Sequence, residues 1–108
     1  MEIKFAHDWN AKLTGPGKIF TTIRNWSDKK ADYYINNIGK WFDVILKDEK
    51  ISQAKLLRVS FLRLNEIPIA LLMVDTGYSD IQKVYKLFES FKLRTEDVAI
   101  VLVFEKIQ

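Results

Sequence analysis

The chain contains no cysteine and a single histidine, His7. Disulfides, thiolate metal sites and a cysteine nucleophile are therefore excluded, and so is a histidine-rich metal centre. No apolar run reaches the ~18 residues of a membrane span. The opening Met1-Glu2-Ile3-Lys4 lacks a signal-peptide apolar core, so neither a membrane partner nor secretion is expected. No P-loop, dinucleotide fingerprint, zinc spacing or serine elbow is present. Neither sign of charge dominates: 17 Lys and Arg face 14 Asp and Glu, for a net +3. That balance is compatible with RNA binding, but a positive patch has to come from arrangement, not from the total. No cofactor or metal is expected, and the composition suits a reducing cytoplasm.

What is present is enough apolar material for a real core. The 108 residues are 48% hydrophobic and 13% aromatic, which fits one folded domain over 1–108. Residues 2–6 alternate polar and apolar, as a strand with one exposed face does. Asp8 can cap a short helix running to Leu13, with Trp9 and Leu13 on one face and Gly15 ending it. Ser27 is a good N-cap for a helix over about 28–38, in which Ala31, Tyr34, Ile35 and Ile38 repeat at helical spacing and Gly39 takes the C′ place. Residues 41–46 read as a strand, 47–50 as a polar turn and 54–64 as a long strand. In that strand Leu57, Val59 and Phe61 share a face.

Pro68 argues against a central strand continuing past Ile67. The apolar run 69–74 fits a buried strand or a short helix by periodicity alone. Ser79 and Gln82 make a capping box for a helix over 80–91, whose Ile81, Val84, Tyr85, Phe88 and Phe91 repeat at helical spacing. Residues 98–104 are almost wholly apolar, as a strand buried on both faces is. The order β-α-β-α-β-β-α-β supports an α+β class.

One stretch concentrates the candidate chemistry. Gly15, Pro16 and Gly17 form a turn that lets other groups approach the backbone closely. Lys18 follows, and Thr21, Thr22, Ile23 and Arg24 read as a strand carrying hydroxyls and a guanidinium. Lysine, arginine and intervening hydroxyls suit a phosphate or a polar nucleobase. The ordinary alternative is a loop and a strand with solvated charges, in which the threonines reflect β-propensity and Arg24 pairs with Asp43 or Asp75. Trp26, between Arg24 and a helix cap, is a candidate aromatic wall for a base. Trp9 suits core packing. His7 and Asp8 are sequence neighbours and do not face each other, which argues against a catalytic pair.

Glycine, lysine and then Thr22-Ile23-Arg24 after a short N-terminal helix resemble the signature of the ASCH domain, a member of the PUA-like superfamily of small RNA-associated β-barrels. Residues 39–44 before a strand, Asp75-Thr76-Gly77 before a helix and residues 101–105 at the end fit the same order. The resemblance implies a small mixed, partly open β-barrel with two to four short helices, and a helical turn at 69–74. It implies a cleft between the signature strand and the start of the last helix that binds RNA or a nucleotide. Lys18, Thr21, Thr22, Arg24, Trp26 and Asp75 would line it. In ASCH amidohydrolases acting on acetylcytidine a lysine, a threonine and a carboxylate work together, which here would be Lys18, Thr22 and Asp75. Lys18 stands one residue from the family's lysine place, which is Ile19 here. Asp75 is about one residue off and one methylene shorter than the family's glutamate. Those departures favour binding over catalysis. The alternatives are an amidohydrolase or ribonuclease using the same cleft, and a protein-interaction module with a degenerate site.

Overall fold

The computed structural model describes residues 1–107. Five strands form one mixed sheet: β1 (Glu2–Phe5), β2 (Ile19–Asn25), β3 (Trp41–Leu46), β4 (Glu49–Arg63) and β5 (Val98–Lys106). Their spatial order is β1-β3-β4-β5-β2. β1 runs parallel to β3, and every other pair is antiparallel. Three α-helices accompany them: α1 (Asp28–Ile35), α2 (Ile69–Thr76) and α3 (Ile81–Ser90). The result is an α+β architecture in which the sheet curls into a half-barrel. No helix among the described residues is long and apolar enough to cross a membrane.

β5 lies between β4 and β2, and each of its faces packs into an apolar cluster, which is why its sequence is apolar without alternation. Ile100, Leu102 and Phe104 enter the concave side with Ile3, Phe20, Phe42, Val44 and Leu56, closed by Ala31 and Tyr34 of α1. Ala99 and Val101 enter the other side with Leu72 of α2 and Val84 and Phe88 of α3. Val84 and Phe88 of α3 face β5 as their spacing predicts, with Ile81 and Tyr85 partly buried beside them, whereas Phe91 stands at the helix C-cap and is exposed.

Several local expectations are corrected. Residues 8–13 do not form an α-helix. They make a 3-10 turn at Trp9–Ala11, with left-handed backbone at Asn10 (φ 56°) and Ala11 (φ 50°). The Asp8 carboxylate accepts from Leu13 N–H and Thr14 Oγ1, bracing a loop rather than capping a helix. α1 is capped by Ser27, whose Oγ accepts from Lys30 N–H, but it stops at Ile35. Asn37 folds back on Tyr33, and Ile35 and Ile38 remain exposed. β4 begins at Glu49, directly after a two-residue turn. The pairing slips between Leu56 and Arg58, so Leu57 is an extra residue and is exposed, while Leu56 takes the core. α3 is capped by Asp80, which accepts from Gln82 N–H, not by Ser79. Run 69–74 is helical and opens α2.

Candidate functional site

The half-barrel does not close between its two edge strands, β1 and β2. A cavity of about 340 Å³ lies at this seam, within the range of small-molecule sites. β1 and the segment after it contribute Lys4, Phe5, Ala6 and His7, and β2 contributes Thr22, Ile23, Arg24 and Asn25. Side chains of a strand alternate between faces. Four consecutive residues can line one cavity only if it runs along the strand's edge.

Arg24 crosses the seam. Its Nε donates to Thr22 Oγ1 at 3.0 Å and its Nη2 donates to the Lys4 carbonyl at 2.9 Å. The guanidinium carbon lies 4.6 Å from the Phe5 ring centroid, a cation–π placement. Burial pushes the guanidinium below its ordinary value, opposed by Tyr34 and Asp75. Among the described residues no carboxylate lies within ion-pair distance of Arg24. Asp43 pairs instead with Lys50 and Gln53.

A second cluster meets the cavity from the opposite face of β2. Asp75 sits in the last turn of α2, not at the start of α3, and is buried. A carboxylate there opposes the helix dipole and has lost its water. Two donors offset that cost at the same oxygen: Lys12 Nζ at 2.9 Å and Thr21 Oγ1 at 2.8 Å from Oδ1. The Lys12 and Asp75 side chains retain 9% and 6% of their exposure. Burial pulls the Lys12 ammonium below its ordinary value, and the attraction of Asp75 only partly offsets it.

Lys12 is delivered by the braced loop. Its tightest point is Gly15, whose N–H donates to the Ala11 carbonyl at 2.7 Å. A Cβ on Gly15 would lie 2.6 Å from that oxygen. Asn10 ties the loop to α2 through a bond from Nδ2 to the Val74 carbonyl. Lys12 and Asp75 also line a second hollow of about 360 Å³ beside Gly15, Pro16 and Gly17. The pair is thus a partition between two cavities.

Of the residues expected to converge, Thr22, Arg24 and Asp75 line the seam cavity, and Thr21 joins it through Asp75. Lys18 and Trp26 lie outside. Lys18 is exposed just before β2, and its carbonyl accepts from Lys106 N–H. Trp26 packs edge-on against Phe61 at 4.8 Å and donates to Asp28 Oδ1. Lys12 occupies the place beside Asp75 that Lys18 was expected to fill. Sequence reasoning missed Lys12, Lys4 and Phe5. The one signal for Lys12 was its place between two apolar residues, Ala11 and Leu13. Among the described residues no group of three His, Asp or Glu is placed to hold a metal.

No family model, no curated protein and no solved structure matches the chain. The functional reading therefore rests on the geometry above and on the residue pattern.

Proposed function

We propose that the seam cavity binds RNA or a nucleotide, in a fold of the PUA-like, ASCH type. One observation carries this reading: Arg24 is partly buried, is orientated by Thr22 and Lys4, and has no anionic partner among the described residues. A cation stripped of water and left unpaired is costly unless a ligand supplies the counter-charge. Lys4 and Lys30 add two further cations to the lining, whereas Asp75 is its one carboxylate among the described residues and is taken by Lys12. Leu87, Phe88 and Phe91 give the cavity an apolar wall suited to a base. The test is calorimetric titration with nucleoside 5′-monophosphates and short RNAs. Binding that weakens in Arg24→Lys supports the reading, and absence of binding by the wild type refutes it.

A second reading has its own support. Lys12, Thr21 and Asp75 form a lysine–hydroxyl–carboxylate cluster at the cavity wall, and burial makes Lys12 easier to deprotonate. These are groups with which an amidohydrolase acting on an acetylated nucleoside works. Release of acetate from acetylcytidine, abolished in Lys12→Arg, would move the assignment from binding to catalysis.

A further inference from the structure

The backbone of β2 has a phase, and that phase decides what the cavity can read. Lys106 N–H donates to the Lys18 carbonyl at 2.7 Å. Residue 18 therefore directs its backbone groups toward β5. In an antiparallel ladder the direction alternates along the strand, and the pairing of β2 with β5 shows no slip from Ile19 to Asn25. Phe20, Thr22 and Arg24 thus bond to β5. Thr21, Ile23 and Asn25 point their N–H and C=O groups away from it, along the free edge.

The opposite rim behaves likewise. Asp43 N–H donates to the Met1 carbonyl and Lys47 N–H to the Phe5 carbonyl, so the odd residues of β1 face β3. Lys4 faces the seam, where its carbonyl accepts from Arg24. Ile23 is at the centre of the β2 lining, with Arg24 on one side of the strand and Phe88 of α3 on the other. Among the described residues nothing is bonded to its N–H or C=O.

We infer that the free N–H and C=O of Ile23 form the base-reading edge of the cavity, pairing with an adjacent acceptor and donor on a nucleobase while Arg24 holds the phosphate. Such an acceptor–donor pair lies side by side on adenine and cytosine, and a donor–acceptor pair on uracil and guanine, so one strand residue can meet any of them through two hydrogen bonds. An added peptide strand fits less well. Strand addition needs an open edge over several residues, and Arg24 already spans the seam at the next position. This inference rests on the nucleotide reading of the same cavity.

Proline offers a clean test, because on an edge strand it removes an outward N–H without breaking a ladder bond. Ile23→Ala controls for the lost side chain, which packs partly against the second core. The probes are the four nucleoside 5′-monophosphates and ribose 5-phosphate, which has the anion but no base. Wild type and Ile23→Ala should bind the nucleotides more tightly than ribose 5-phosphate. Ile23→Pro should weaken nucleotide binding about three- to tenfold, the worth of one hydrogen bond, and leave ribose 5-phosphate unchanged. A second readout needs no variant: in wild type the Ile23 amide proton should shift on nucleotide binding and stay put with ribose 5-phosphate. Equal affinity for base-bearing and base-free ligands would overturn the inference while leaving the anion site standing. An Ile23 amide that ignores nucleotides would do the same. If no phosphate ligand binds but an acidic extended peptide moves that amide, both the inference and the nucleotide reading fall, in favour of strand addition.

Discussion

Arg24 Nη2 donates to the backbone carbonyl of Lys4 at 2.9 Å, joining β2 to β1 across the open seam of the half-barrel. The two strands are the edges of the sheet and share no ladder bond. The guanidinium is therefore a clasp on the fold and, under the proposed function, the group that would meet an anion in the cavity. Because Arg24 holds the seam and is also the proposed anion ligand, its replacement is best read through binding and stability together.

The core of the helix-covered face should fail first if α3 loses its anchor. Phe88 is 5% exposed and packs with Val84, Ala99 and Val101. Phe88→Ala should lower stability by about 3–5 kcal/mol, measured as the shift in urea unfolding free energy. A change near zero would mean that α3 does not seal that face.

Lys12 gives a pH signature of definite sign. Its ammonium titrates below the ordinary 10.5 in the folded chain. Between that lowered value and 10.5 the unfolded chain binds the extra proton, so stability rises with pH across the interval. Relative to Lys12→Met, the wild type should gain stability as pH rises from neutral toward 10.5, followed by urea midpoints at each pH. A relative loss over that range would show that Asp75 outweighs burial.

Gly15→Ala tests the delivery of Lys12. The added Cβ would sit 2.6 Å from a backbone oxygen, which has no flexible end to yield. The loop must shift, at a cost of about 1–3 kcal/mol. Thermal denaturation should show the loss, and the pH signature of Lys12 should shrink with it. An unchanged melting curve would mean that the loop adapts freely.

The order of the elements and most of their bounds were legible because they depend on local pattern. β5 is apolar at every position from 98 to 104, which only an interior strand tolerates, and α3 repeats its apolar residues at helical spacing. What was illegible depended on chain-distant pairing. Leu57, Val59 and Phe61 alternate perfectly in sequence, yet the slip at Leu56 against Phe104 takes Leu57 out of the core. Asp8 looks like a helix cap, but Leu13 and Thr14 claim its carboxylate. In the site, Thr22, Arg24 and Asp75 do share a cavity, whereas Lys18 is on the wrong side of the strand's start. Which lysine meets Asp75 is fixed by the left-handed turn at Asn10 and Ala11. Asn10 is a residue type that tolerates a positive φ, but Ala11 beside it rarely takes one, so the sequence does not announce a two-residue left-handed turn.

The salt dependence of RNA binding should report how many phosphates the seam engages. Two or three contacts from Arg24, Lys4 and Lys30 give a log–log slope of about −1.4 to −2.1 for a single strand. A much steeper slope would place the interaction on a broad basic surface outside the cavity.

If Arg24, which meets no carboxylate among the described residues, is the anion ligand of the seam, nucleotide binding should depend on its guanidinium. Isothermal titration of one nucleoside 5′-monophosphate into wild type and Arg24→Lys tests it most directly, with urea unfolding of both proteins as the control for folding. Lysine keeps the charge but loses the fork that bonds Thr22, Lys4 and ligand together. The wild type should bind, and a folded Arg24→Lys should bind about ten- to a hundredfold more weakly. Equal affinity in the two folded proteins would contradict it.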